Sequence, residues 1–270
     1  MTTPQTTHSL QEAADLLGIH YMTAYRHVRS GKLGAERVDG RWIVSEESLE
    51  YFRNPPEVTV SGAQASSSDF RGVLLSGDDI EAWRMAQDEL IRTGSLISVY
   101  SKLVVPAMQV IGELWAAGQL AVVDEHRATV TVQRVIARLS ADQRHRGRKR
   151  GTIVIGSVET DTHSLPTSIL ADVARMSRLE AWDLGANTPA ESFRHAVESA
   201  DRVRAAAVSV STYNLDDVTT KTVSAIRQAN SEIPVFVGGA GIRDVDHAER
   251  LGADATASSI EELTELFEAL

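Results

Sequence analysis

TIVIGSVETDTHSLPTSILADVARM, residues 152–176, is the stretch on which the fold turns. Thr152-Ile153-Val154-Ile155-Gly156 is an unbroken apolar, β-branched run, the signature of a strand buried on both faces. A polar loop follows, Glu159-Thr160-Asp161-Thr162-His163-Ser164, and helical spacing then takes over from Ile169 to Met176. Towards the C-terminus the alternation repeats. A strand over Leu179 to Leu184 leads through Gly185-Ala186-Asn187-Thr188-Pro189 to a helix over Ala190 to Ser199. Next come a strand at Ala205 to Ser211, a helix at Val218 to Ala229, and a strand at Val235 to Val237 ending in Gly238-Gly239-Ala240. A short helix near Val245 to Leu251, a strand at Ala253 to Ala257 and a helix from Ile260 to Leu270 complete the segment. Five strands alternating with five helices predict a doubly wound parallel sheet over residues 151–270. Ligands of such sheets bind at the carboxyl ends of the strands. That edge gathers the His163 loop, Thr188-Pro189, Ser209-Val210-Ser211-Thr212 and Gly238-Gly239.

Upstream, residues 70–146 read as all-helical. Asp78 can cap a helix through Ile80, Trp83, Ala86 and Leu90 that stops near Thr93-Gly94. Ser95 starts another through Leu103, Met108, Ile111 and Trp115 that stops at Gly118, with Pro106 expected to kink or interrupt it. A last helix carries Val122, His126, Val130, Ile136 and Leu139. With a short segment near Phe70 to Leu75, these make a bundle of about four helices. Nine residues separate Trp115 from the pair Glu125-His126, which would line one end of the bundle or serve simply as a core Trp, a capping Glu and a satisfied His. The basic run from Arg144 to Arg150 reads as a solvated connection to the sheet domain.

Residues 1–53 have a different texture. Ser9-Leu10-Gln11-Glu12 is a capping box ahead of an apolar helical pattern that ends at Gly18. A second helix, Tyr21 to Ser30, would turn Ala24 and Val28 inward and Thr23, Tyr25, Arg26, His27 and Arg29 outward. The two make a helix-turn-helix. Asp39-Gly40 between Glu36-Arg37-Val38 and Arg41-Trp42-Ile43-Val44 marks a hairpin, and Ser45 caps a short helix through Phe52. Between His20 and Ile43 five basic residues (Arg26, Arg29, Lys32, Arg37, Arg41) face two acids, a local charge of +3, although residues 1–55 hold six basic residues against seven acids. Positive charge is thus gathered on the second helix and the hairpin, where phosphates and a groove edge would be met. Residues 54–69, rich in Pro, Ser, Gly and Ala, read as a flexible linker.

Composition narrows the classes. At 270 residues the chain suits two or three domains, and 43% hydrophobic content supports real cores. Cysteine is absent, which excludes a disulfide scaffold, a thiolate metal site and a cysteine nucleophile. The net charge of −10 argues against a protein basic over its whole surface. No secretory pattern opens the sequence and no apolar run reaches membrane-spanning length, so a cytoplasmic protein is expected.

The N-terminal SLQEAADLLGIHYMTAYRHVRSGKL, followed by RVDGRWIVSEESLEYF, resembles the winged helix-turn-helix of the MerR and excisionase families. The resemblance implies binding to double-stranded operator DNA, with Thr23, Tyr25, Arg26 and Arg29 at or near the major groove and Arg37 and Arg41 on the wing. Residues 70–270 resemble a cobalamin-binding unit, a four-helix bundle cap followed by a flavodoxin-like (Rossmann-type) domain, as in corrinoid methyltransferases. With both halves together the chain resembles CarH-type adenosylcobalamin photoreceptor repressors. That resemblance implies His163 of Asp161-Thr162-His163 as lower axial cobalt ligand, with Asp161 orienting its other nitrogen. It also implies a cofactor tail received near Thr188, Ser209, Ser211, Gly238 and Gly239, and an upper face covered by Trp115, Glu125 and His126. A homo-oligomer, dimer or tetramer, whose DNA binding follows the state of the cobalamin, comes with it. Such a protein is a regulator rather than an enzyme.

Two positions depart from the family pattern. Pro166 replaces a glycine of the Asp-x-His-x-x-Gly motif, which implies a different seating of the tail. Ala116 stands where the light-sensing relatives carry a histidine, so the upper ligand after photolysis would be water or His126. Two other readings stay open: a corrinoid carrier serving a methyltransferase, and a DNA-binding regulator that has lost cobalamin. A phosphoacceptor receiver domain fits poorly, because the third strand ends in Ser211-Thr212 rather than aspartate. Gly238-Gly239-Ala240-Gly241 lacks the lysine of a nucleotide-hydrolysing loop. His8, His20, His145, His195 and His247 show no metal-ligand spacing and read as surface histidines.

Overall fold

The computed structural model describes residues 6–29, 33–38, 40–53, 64–142 and 147–270. Two compact units result: residues 1–59 with 212–217, and residues 60–211 with 218–270.

In the smaller unit, strand β1 (Thr7–Ser9) precedes helices α1 (Leu10–Leu17) and α2 (Tyr21–Arg29), then strands β2 (Glu36–Val38) and β3 (Arg41–Ser45) and helix α3 (Glu46–Arg53). The capping box is formed: the Ser9 side chain accepts from the Glu12 amide, and Glu12 reaches back to the Ser9 amide. Gly18 ends α1 in the left-handed conformation, φ 67°, which glycine adopts without Cβ conflict. The three strands pair antiparallel in the order β1-β3-β2, so β1 adds an edge that the hairpin alone did not predict. Leu10, Ala13, Ala14, Ala24, Val28, Leu33, Val44 and Leu49 form the core. His27 corrects the sequence reading: it is buried and packs on Phe52 in a tilted arrangement, ring centroids 5.0 Å apart and planes at 59°. Ala24, His27 and Val28 follow i, i+3, i+4 spacing, so the imidazole shares their inward stripe.

The larger unit begins with α4 (Gln64–Ser76), α5 (Asp79–Thr93), α6 (Leu96–Val99), a π-helical turn (Tyr100–Val104), α7 (Val105–Ala116) and α8 (Val122–Asp142). Helix α4 starts inside the stretch read as linker, because Ser67, Phe70 and Leu74 make an inward stripe and all three are buried. The remainder of that linker, residues 54–63, lies outside the described residues. As expected of Pro106, the α-helical run is interrupted: the proline sits in the first turn of α7, directly after the π turn. It has no N–H for the carbonyl four residues back and would crowd it; the wider π turn, in which Val105 N–H donates to Tyr100 O, stands just before it.

Strands β4 (Thr152–Ser157), β5 (Glu180–Asp183), β6 (Val203–Ser209) and β7 (Val235–Gly238) form a parallel sheet in the order β5-β4-β6-β7. Helices α9 (Leu165–Met176), α10 (Ala190–Ser199), α11 (Asp216–Ala229), α12 (Val245–Arg250) and α13 (Ile260–Glu268) alternate with or follow them. The expected fifth strand, Ala253 to Ala257, shrinks to a single bridge, Phe236 to Ala255; it follows directly on the Gly252 turn, φ 91°, and its small side chains offer little to pack. The fold is otherwise as predicted: helix-turn-helix, helical cap and Rossmann-like parallel sheet. One apolar cluster runs from Phe70, Tyr100 and Ile111 in the bundle to Ile153, Ile155 and Ala207 in the sheet.

The basic run is not wholly a solvated connection. Arg150 donates to Glu268 O at 2.9 Å and Ser177 O at 3.3 Å, while residues 143–146, His145 among them, lie outside the described residues. His247 is buried at the start of α12, where its Nδ1 accepts from the Arg243 amide at 3.2 Å. His8 is half-buried against Glu46. Neither is a free surface histidine.

Candidate functional site

Parallel order makes β4 the branch point of the sheet: the chain leaves it for β5 on one side and later returns to β6 on the other. The crevice at such a switch point is where open α/β sheets place ligands. Its walls are the loop after β4, which carries Asp161 and His163, and the loop after β6, which carries Ser211.

Asp161 is fully buried and organises the crevice. Its Oδ1 accepts from the His163 backbone amide at 3.1 Å and lies 2.7 Å from His163 Nδ1; its Oδ2 accepts from the Ser211 amide at 2.5 Å. A carboxylate only accepts, so Nδ1 carries the proton and Nε2 is left as the basic nitrogen. His163 is half-exposed, and Ser157 Oγ fixes its backbone by donating to His163 O at 3.0 Å. The hydrogen bond to Asp161 holds the His163 pKa above its ordinary 6.5, opposed by burial and aided by the charges of Asp161 and Glu125. An imidazole with one nitrogen fixed by a carboxylate and the other basic is the arrangement of a metal ligand with its supporting partner.

The strand ends beside it are lined by small residues. Thr188 and Ser209 are buried, and Thr188 bridges to Val158. A Cβ added at Gly238 would meet Thr256 Oγ1 at 3.6 Å and Ala257 O at 3.8 Å, ordinary packing distances, so the end of β7 has room for a small side chain. At Gly239 (φ 116°) a Cβ would lie 2.5 Å from Val210 O; this glycine is required by the close approach of two backbones. Pro166 occupies the first turn of α9, where its missing N–H costs nothing.

From the cap, the charge of Glu125 acts weakly on His163. Thr129 Oγ1 donates to Glu125 Oε1 at 2.7 Å, and His126 Nε2 lies 3.5 Å from Glu125 Oε2 with the imidazole largely exposed. Trp115 is partly exposed at the end of α7, and Ala116 beside it is buried. Gln133, further along α8, donates to Ser164 Oγ at 3.1 Å. Sequence reasoning missed Ser157, Gln133 and Asn187. The first is hidden in an apolar strand and the second on a polar helix face. Asn187, in an evident loop, makes two contacts that only the folded chain discloses.

In the smaller unit, Thr23 is half-buried and Tyr25 packs against the core, so Tyr25 is less outward than its helix position suggested. The side chains of Arg26 and Arg29 lie outside the described residues. Arg37 and Arg41 are exposed, and the Arg37 guanidinium sits 5.9 Å from the Trp42 ring centre. Arg37 pairs with Trp42 and Arg41 with Val38, which puts the two arginines on opposite faces of the hairpin.

Comparison with known proteins agrees with this division. Residues 9–54 match a helix-turn-helix domain family; residues 69–140 and 151–268 match two families, each described as a B12 binding domain. The chain therefore joins a helix-turn-helix domain to a helical and a parallel-sheet B12 binding domain. It is 24% identical over 207 residues to trimethylamine corrinoid protein 1 of Methanosarcina acetivorans, covering 75% of this chain and 92% of that one. It is 22% identical over 206 residues to a corrinoid protein of Desulfitobacterium hafniense, covering 73% and 94%. The structure of the Methanosarcina barkeri monomethylamine corrinoid protein superposes with a TM-score of 0.66 at 14% identity, over 77% of this chain and 99% of that chain.

Proposed function

We propose that this chain is a cobalamin-dependent transcriptional regulator, not an enzyme, in which bound adenosylcobalamin sets oligomeric state and hence operator binding. The observation that carries the reading is the Asp161–His163 pair at the switch point, in a chain that also holds a helix-turn-helix. The donor set fits the cofactor. Among the described residues no group of three or more His, Asp or Glu could hold a bare ion, whereas one oriented imidazole suits a cobalt already held by a macrocycle. The small residues at the strand ends, Gly238, Thr188 and Ser209, would leave room for a bulky tail.

When bound, adenosylcobalamin supplies a light-labile cobalt–carbon bond. His163 Nε2 would ligate the lower face, Asp161 would hold its tautomer, and Trp115, Glu125 and His126 would cover the upper face. Ala116 is buried and brings no ligand there, which leaves His126 or water for that role. Thr23, Arg26, Arg29, Arg37 and Arg41 would meet DNA, and a homo-oligomer, dimer or tetramer, would multiply weak single contacts. The test is fluorescence anisotropy with DNA fragments that the protein itself selects from genomic DNA, with adenosylcobalamin in the dark and after illumination. Binding that changes with the cofactor or with light supports the reading.

A second reading, a corrinoid carrier serving a methyltransferase, is favoured by the relatives named as corrinoid proteins. Cobalamin retention with no sequence-selective DNA binding would decide for it.

A further inference from the structure

The chain leaves β4 through Val158-Glu159-Thr160-Asp161, and Thr160 turns it with φ 72°. That is the left-handed region, which a β-branched residue rarely takes unless its surroundings enforce it. Two hydrogen bonds from one residue of the neighbouring loop hold the turn. Asn187 Oδ1 accepts from the Thr160 amide at 2.7 Å, and the Asn187 amide donates to Asp161 O at 2.7 Å. Asn187 is itself left-handed, φ 53°, a conformation that asparagine, aspartate and glycine tolerate best. The Asp161 side chain leaves this turn into its buried slot, where it orients His163 and takes the Ser211 amide.

We infer that Asn187 is a positioning residue for the axial-ligand loop: its side-chain carbonyl holds Thr160 left-handed, and Thr160 in turn aims Asp161 at His163. The inference rests on the cobalamin reading only for its functional sense, since the geometry belongs to the chain alone. Position 187 has two separable requirements. Glycine keeps the backbone conformation and loses the acceptor; aspartate keeps both. Position 160 offers a complementary test, because glycine there adopts the turn without being held.

The experiment compares the full-length protein with Asn187→Gly, Asn187→Asp and the double variant Asn187→Gly/Thr160→Gly. The first readout needs no cofactor: the proton NMR signal of His163 Nδ1–H, protected by Asp161, assigned by its loss in His163→Ala. It should be present in the wild type and Asn187→Asp, broadened or lost in Asn187→Gly, and restored in the double variant. The second readout is the absorption spectrum at saturating adenosylcobalamin. Asn187→Gly should raise the fraction of corrin not ligated by histidine and speed corrin release roughly tenfold, about what one net hydrogen bond carries; the double variant should recover most of this. An Asn187→Gly protein with a wild-type Nδ1–H signal and wild-type corrin release overturns the inference, as does a double variant no better than the single one. A wild-type protein that retains no corrin refutes the cobalamin reading instead, and the NMR comparison still decides the role of Asn187.

Discussion

Replacing Tyr100 by phenylalanine should destabilise the larger unit through one oxygen atom. Tyr100 is fully buried on the π turn, and its hydroxyl donates to Asp172 Oδ2 of α9 at 2.5 Å. The same carboxylate is contacted by Ser140 of α8 and accepts from Arg175 at 2.9 Å. Phenylalanine keeps the ring packing and removes one donor to a buried charge, a change worth about 1.5–3 kcal/mol. For a unit of this size each kcal/mol shifts the melting temperature by about 2–4 °C, so a fall of about 3–12 °C is expected. Calorimetry at neutral pH measures it directly.

The pH dependence gives an independent check. Burial first, then the Asp172 charge, hold the Tyr100 pKa far above its ordinary 10.0. A raised folded-state pKa contributes stability that is fully present below the unfolded value and is lost as pH rises beyond it. The wild type should therefore lose stability above about pH 10 through a term the variant lacks, and the gap between the two should narrow there. A variant within about 0.5 kcal/mol of wild type at neutral pH, the range of ordinary surface substitutions, would refute the reasoning. A gap that widens above that pH would refute the linkage.

Further expectations follow from other parts of the molecule. His163 in the cofactor-free protein should titrate above 6.5 by NMR and fall in Asp161→Asn, because the Asp161 hydrogen bond is the main cause of its shift; a midpoint at or below the ordinary value contradicts the geometry. Ligation needs neutral imidazole, so acid should displace the histidine from the corrin, with a midpoint below that of the cofactor-free imidazole. Gly156→Ala places a Cβ 2.7 Å from Phe193 Cζ in the centre of the sheet, and overpacking of about 1–3 kcal/mol should appear in chemical denaturation. Arg41→Ala should weaken DNA binding evenly across sequences and reduce the slope of log affinity against log salt by about 1; an unchanged slope removes Arg41 from the phosphate-contacting set.

What could be read beforehand follows the range of the interactions. The sheet strands announce themselves as apolar β-branched runs such as Ile153-Val154-Ile155, and the Asp161–His163 pair is two residues apart, so sequence spacing already brings it together. The capping box at Ser9 and the stop at Gly18 are equally local. What escaped depends on contacts far along the chain. Asp172 sits in an ordinary helix, and nothing nearby signals that Tyr100 and Ser140 converge on it. Asn187 reads as a loop residue until β4 and β5 lie side by side. His27 escaped for a different reason: its polar identity outweighed its inward spacing with Ala24 and Val28. The fifth strand failed because one edge bridge cannot sustain a ladder.

The most direct test of the central claim is an absorption spectrum of the purified full-length protein after incubation with adenosylcobalamin in the dark and desalting, beside His163→Ala. The account predicts retained corrin absorbance with a histidine-ligated spectrum in the wild type, and a spectrum without histidine ligation or weaker retention in the variant. A wild type that retains no corrin, or a variant with an unchanged spectrum, would contradict it.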